Sequence, residues 1–353
     1  MSLRSRLLDH FRRALSWTRE DGLDLPQALA AAFGMAGPVA LAAALGHVEA
    51  GMAAATGALA VSGSGLGLSR RARRADLAWG LAAALLALGF GVLIAGHGPA
   101  TRVALVALAG VAAVLGGLSR PAAVAATRFI LFLVIATNLG EAGRPLALFI
   151  LASQGALWTA LLIVVFGRLS PRAPDIEEPP APGLTLLARR WASQLRTWPA
   201  WRYPARITLC LALAEALAAA WPHHHGRWIT LTVAILVRRQ GVEALLMTTQ
   251  RALGVFVGVL AAGLLVVWRP PLMALTLGVA VLAGARPLLR TRSYVAYSAV
   301  MTPLVILLLD LGAPPTTGLL ADRMLATLAG ALLVIATERP LGTPAPARPA
   351  SSL

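Results

Sequence analysis

The stretch from 223 to 263, HHHGRWITLTVAILVRRQGVEALLMTTQRALGVFVGVLAAG, sets the reading of the whole chain. Three histidines and a Gly-Arg-Trp corner lead into a short apolar run carrying Thr230 and Thr232, which two arginines end. After a polar turn, Arg251 opens a long apolar run in which Gly254 and Gly258 form a GxxxG. In lipid no hydrophobic force draws helices together, and small residues at this spacing let two backbones approach closely. The stretch therefore predicts a short helix and a long one, packed against others inside a membrane.

Composition agrees. Of 353 residues, 58% are hydrophobic and 13% charged, with a mean hydropathy of +0.74, which no ordinary soluble domain shows. The net charge of +16 comes entirely from arginine, as the chain has no lysine. These arginines sit between apolar runs and form no stripe with interleaved aromatics, so nucleic acid is not an expected partner. The one cysteine, Cys210, cannot form an intrachain disulfide. No apolar core follows the basic N-terminal stretch as in a cleavable leader, so the first spanning helix is expected to direct insertion.

Twelve apolar runs follow from the pattern, six between 27 and 167 and six between 204 and 337. The expected fold is an all-α membrane protein of about twelve transmembrane helices in two six-helix parallel repeats. Residues 1–26 form an amphipathic segment, with Leu3, Leu7, Phe11 and Leu15 on one side of a helix and arginines elsewhere. That pattern suits either the headgroup layer or docking on the protein. Residues 168–203 are a linker, first Pro-rich and acidic, then rich in Trp and Arg; 338–353 read as a disordered tail. With both ends and the linker on one side, that side holds 26 arginines and the other 5. The positive-inside rule then puts both termini in the cytoplasm of a bacterial inner-membrane protein.

The halves align at Leu25-Pro26 with Tyr203-Pro204, His47 with His223, Gly65 with Gly241, and Asn138-Leu139-Gly140 with Asp310-Leu311-Gly312. The run 228–237, too short to cross about 30 Å of hydrocarbon, matches the Gly-rich GALAVSGSGLG of 57–67 in the first half. Short or interrupted helices in corresponding places point to a transport site.

The pattern Trp228-x-x-Leu231-Thr232, a polar turn, then Arg251-x-x-Gly254-x-x-x-Gly258 resembles the core of the fusaric acid resistance (FUSC) family of integral membrane transporters. That group includes bacterial aromatic-acid exporters and is distantly similar to plant anion channels. Met301-Thr302-Pro303 and Arg323 with Gly330 also look like the family, and the resemblance covers about 204–337. Val255 stands where the family usually has a threonine. The resemblance implies export of a small organic anion, aromatic or carboxylate. The alternatives are a dimeric anion channel and a membrane scaffold or envelope assembly factor.

Candidate substrate or pore residues are Arg251, Arg323, Trp228, Thr230 and Thr232. Guanidinium suits carboxylates through paired hydrogen bonds; Trp228 also reads as an interfacial anchor, and only one of the two threonines can line a helical pore. Glu215, near the middle of an apolar run, and Asp310 are candidate proton carriers, because a charge at mid-membrane needs a partner or a function. His223, His224 and His225 lack the spacing of a metal site, so no metal and no cofactor are expected. With no lysine a GxxxxGK[ST] loop is impossible, and HExxH, CxxC and GxSxG are absent, so no enzyme is expected. Membrane lipids and a second copy of the chain complete the expected partners.

Overall fold

The computed structural model describes residues 3–18, 24–64, 70–140, 144–169, 183–221, 226–239, 244–268, 270–309 and 316–341. Among these residues the fold is all helical, with fourteen helices and no strand. Two are amphipathic: α1 (Leu3–Ala14) and α8 (Leu184–Gln194). The other twelve take up the twelve apolar runs. The first half contributes α2 (Leu25–Ala44), α3 (Val48–Val61), α4 (Arg70–Ile94), α5 (Pro99–Leu115), α6 (Arg120–Gly140) and α7 (Pro145–Phe166). The second contributes α9 (Trp198–Ala220), α10 (Arg227–Leu236), α11 (Ala244–Trp268), α12 (Leu272–Arg290), α13 (Tyr294–Leu309) and α14 (Thr317–Leu341).

Eight of the twelve are long and apolar enough to cross a membrane. The exceptions are α3, α5, α10 and α13. At 1.5 Å per residue, the 10 residues of α10 reach only about 15 Å, half of a hydrocarbon core. Such a helix ends inside the bundle and must find partners there for its last carbonyls.

Segment boundaries shift slightly from the sequence pattern. Helix α9 starts at Trp198 rather than near 204, since Pro199 falls in its first turn, where a missing N–H costs nothing. Helix α14 runs on to Leu341, past the expected start of the tail, because no helix breaker precedes Pro340. The acidic stretch 170–182, the three histidines, Asp310 and residues 342–353 lie outside the described residues. Helix α1 docks against α11: the His10 ring nitrogen Nε2 is 3.0 Å from Thr249 Oγ1, and Gln250 Nε2 donates to the Ala14 carbonyl at 3.2 Å.

Both halves use the same pairings. Second packs on sixth (α3 on α7, α10 on α14), third on fifth (α4 on α6, α11 on α13), and first on second and sixth. Between halves, α2 packs on α12 and α5 on α9, while α6 packs on α10 and α3 on α13. Exchanging the halves maps these contacts onto one another.

Small residues make the closest crossings. On α3 and α7, a Cβ at Gly57 would overlap the Ala152 carbonyl and one at Gly155 would overlap that of Ala54. On α11, Gly254 faces Ser298 and Val295 of α13, and Gly258 faces Ala299 and Thr302. The turn between α2 and α3 passes through Gly46 at φ 77, a conformation side chains disfavour.

Gly57→Leu should cost about 3 kcal/mol or more, because the clash is with backbone and neither helix can give way. Gly278→Leu, where an added Cβ meets nothing within 4 Å, should stay within about 1 kcal/mol of wild type. Thermal unfolding in detergent, with gel filtration for dispersity, compares them.

Candidate functional site

The candidate site forms where two of the four short helices, α3 and α10, stop. Helix α3 ends at Val61, leaving carbonyls that no further helical turn can satisfy. The second half supplies the donors: Arg286 Nη1 donates to the Leu59 carbonyl at 3.3 Å and Arg290 Nη1 to the Gly63 carbonyl at 3.1 Å. Gln27 Nε2 donates to the Ser64 carbonyl at 2.6 Å. A cation at a helix C-terminus also meets the negative end of the helix dipole. Gly63 permits this approach, since a Cβ there would lie 3.0 Å from Arg286 Nη2 and 3.3 Å from Arg290 Nη1.

Helix α10 ends where Val237 turns extended, just before Arg238 and Arg239. Its residues 228, 231 and 235 share one face by their i, i+3, i+7 spacing. Leu231 and Ile235 line a cavity of about 290 Å³ between α3 and α6 of the first half and α10 to α14 of the second. Arg239 turns away and caps another short helix, donating to the Ala113 carbonyl of α5 with its guanidinium 4.6 Å from the centre of the Tyr203 ring. Trp191 of α8 donates to the neighbouring Val114 carbonyl at 3.1 Å.

Six arginines line the cavity: Arg128, Arg238, Arg251, Arg286, Arg290 and Arg323. None of its described lining residues is acidic. Arg128 is neutralised by Asp76 of α4, with Nη2 at 3.0 Å from Oδ2. Among the described residues, the other five have no carboxylate within ion-pair reach. Arg238 and Arg290 are exposed at one end, whereas Arg286, Arg251 and Arg323 are only 6%, 3% and 1% exposed. Positive charge therefore runs from a surface mouth into the bundle.

The innermost cation is also the least satisfied. Arg323 stacks over Trp228, its Cζ 4.2 Å from the ring centre, and Nε and Nη1 are buried without a hydrogen-bond partner. Arg251 donates from Nη1 to Ser298 Oγ at 3.0 Å, and its Nε is likewise unpartnered. A charged residue at mid-membrane costs on the order of 2.5 to 3.5 kcal/mol on insertion scales. Several such residues, with donors left over, are physically reasonable where an anion can enter and accept those hydrogen bonds. Aromatic surface is present too: the rings of Tyr294 and Tyr297 are 5.9 Å apart and stacked, and Arg238 lies 5.7 Å from the centre of the first.

A family model described as fusaric acid resistance protein-like matches residues 211–337. Over that stretch the chain is similar to the family. The match begins within α9 and ends within α14. With eight helices long and apolar enough to cross a membrane, the chain is a membrane protein, and the matched stretch resembles a family associated with transport. No curated protein and no solved structure matches it significantly.

Of the candidates read from sequence, Arg251 and Arg323 line the cavity together, and Trp228 carries Arg323. Thr230 and Thr232 point elsewhere. Thr232 packs on Gly330 of α14 and donates to the Trp228 carbonyl at 2.8 Å; Thr230 donates to Glu215 Oε1 at 2.7 Å. Glu215 Oε2 lies 3.9 Å from Arg102 Nε of α5, so the carboxylate sits on the opposite side of α10 from the cavity. Arg128, Arg238, Arg286, Arg290 and the two tyrosines were not singled out by sequence. The i, i+4 spacing of Arg286 and Arg290 at the end of an apolar run, matched in the other half to nothing basic, was the available signal.

Thr230→Val should destabilise the protein by about 1 to 3 kcal/mol by removing a donor from a largely buried carboxylate. Thr232→Val, which loses only a bond within its own helix, should cost less. Thermal unfolding of the two variants side by side tests this ordering.

Proposed function

We propose that this protein is an inner-membrane transporter that exports small organic anions, with aromatic or carboxylate compounds as substrates. One observation carries the reading: a cavity lined by six arginines and no described acidic residue, with unpartnered guanidinium donors on its buried Arg251 and Arg323. Fixed cations in a low-dielectric wall raise the local concentration of anions and give them hydrogen bonds they lose on leaving water. The family match to the second half supports a transport role. Tyr294, Tyr297 and Phe132 in the lining suit an aromatic body behind the charge.

The site draws on both halves of one chain, which favours a transporter with its site between repeats over a pore that needs a second copy to close it. The recurring helix pairings support a parallel six-plus-six arrangement of twelve helices. On the arginine-rich assignment of both termini to the cytoplasm, the mouth at Arg238 and Arg290 faces the cytoplasm, the entry side for export. Proton coupling, if Glu215 titrates, acts through α10. That helix presents Leu231 and Ile235 to the anion cavity and Thr230 to the carboxylate.

Reconstituted in liposomes, the protein should move benzoate-class carboxylates, and an imposed pH gradient should drive accumulation. Arg323→Gln and Arg251→Gln should each reduce uptake by about tenfold or more, the loss of a charge-assisted hydrogen bond. Glu215→Gln should abolish the pH-gradient dependence while leaving downhill movement. Uptake unaltered in both arginine variants would overturn the assignment of the cavity.

A further inference from the structure

A second basic cavity, of about 270 Å³, lies where α4 begins and α7 ends. It shares no lining residue with the cavity of six arginines. Arg73 and Arg74 stand in the first two turns of α4, and Arg168 follows the C-terminus of α7. The apolar span of α4 begins at Arg71 and that of α7 ends at Phe166. The three guanidiniums therefore meet at the boundary between hydrocarbon and headgroups, on the side that the arginine count assigns to the cytoplasm.

Arg73 is held in place by the fold. Its Nη1 donates to the Gly167 carbonyl at 3.4 Å, and its Nη2 lies 3.7 Å from Asp24 Oδ2. Gly167 leaves room for it, since a Cβ there would come within 3.3 Å of Nη1. The remaining donor, Nε, is buried with no hydrogen-bond partner. Arg74 and Arg168 are exposed, and no described carboxylate lies within ion-pair reach of either. Asp24 thus offsets one of three positive charges. The rest of the lining is apolar, with Leu77 of α4 and Ile163 and Val164 of α7. Val164 continues into an exposed stripe on α7, where Leu161 and Leu157 are 55% and 51% exposed and the i, i−3, i−7 spacing keeps all three on one face.

We infer that this cavity binds an anionic phospholipid, its headgroup phosphate held by Arg73, Arg74 and Arg168 and one acyl chain lying on Val164, Leu161 and Leu157. Phosphate oxygens accept the forked hydrogen bonds that guanidiniums offer, and basic pockets between spanning helices at the cytoplasmic face suit lipid headgroups. The apolar stripe beginning at the cavity favours a lipid over a soluble phosphate, which has nothing to place there. Net charge selects among phospholipids. Phosphatidylcholine brings its own ammonium against three cations, whereas phosphatidylglycerol carries only the phosphate charge. The site is independent of the proposed transport cavity.

Native mass spectrometry of the full-length protein in detergent, titrated with phosphatidylglycerol or with phosphatidylcholine of the same chains, reads the affinity of the first bound lipid. Phosphatidylglycerol should bind about tenfold more tightly, and Arg74→Gln with Arg168→Gln should bring the ratio of the two lipids close to one. Arg120→Gln with Arg196→Gln, which removes two exposed arginines assigned to the same side but outside the cavity, should leave the ratio within about twofold of wild type. Arg168→Gln alone, beyond the end of α7, serves if the first double variant does not fold. Equal affinities in the wild type, or a ratio lost to the same degree in both double variants, overturns the site. Equal affinities that separate only after Asp175, Glu177 and Glu178 are neutralised give the cavity to that acidic stretch and overturn it too. Excess glycerol phosphate should leave bound phosphatidylglycerol in place; displacement at concentrations equal to the lipid makes the ligand a soluble phosphate and overturns the lipid assignment.

Discussion

A helix that ends inside a bilayer leaves carbonyls that lipid cannot satisfy, and the structure is built around answering that demand. Helices α3 and α5 both stop short. Arginines of the second half supply the missing donors, Arg286 and Arg290 for α3 and Arg239 for α5. In hydrocarbon each unsatisfied group costs several kcal/mol, so these contacts add to the packing that joins one half to the other. They also fix where charge enters the membrane interior.

The same guanidiniums have donors to spare, since five N–H groups cannot all be used on one carbonyl. Arg286 and Arg290 thus cap a helix with one edge and face the cavity with the rest of the group. Arg323 has no carbonyl to cap and rests on Trp228, a cation–π contact that offsets only part of its desolvation. Along this wall structural capping coincides with the proposed ligand site. Removing an arginine at the α3 end also removes a helix cap, whereas Arg323 caps no described helix, which makes it the cleaner probe of the proposed function.

Helix α10 mediates between two polar systems. One face carries Leu231 and Ile235 on the arginine-lined cavity, and Thr230 on another face holds Glu215, which Arg102 approaches from α5. Eight of the ten residues of α10 are buried, so any shift of one face would carry the other with it. Coupling between sites requires a shared element of this kind. The small-residue crossings of α3 on α7 and α11 on α13, by contrast, are backbone to backbone and rigid.

The sequence by itself determined the membrane character, the twelve apolar helices and the small-residue crossing at Gly254 and Gly258. These depend on local hydropathy and spacing, which need no knowledge of neighbours. It also pointed to the two short elements in corresponding positions, which line one cavity, because helix length is written in the chain. Arg251 and Arg323 stood out for the same reason, as charges adjoining apolar runs. The tertiary structure alone decided that they share a cavity with Arg128, Arg238, Arg286 and Arg290, residues up to 195 positions apart. It alone turned Thr230 and Thr232 away from that cavity, because a helix's rotation about its axis is set by what packs on it. Sequence spacing tells which residues of one helix share a face; which face meets the cavity is fixed only by the other helices.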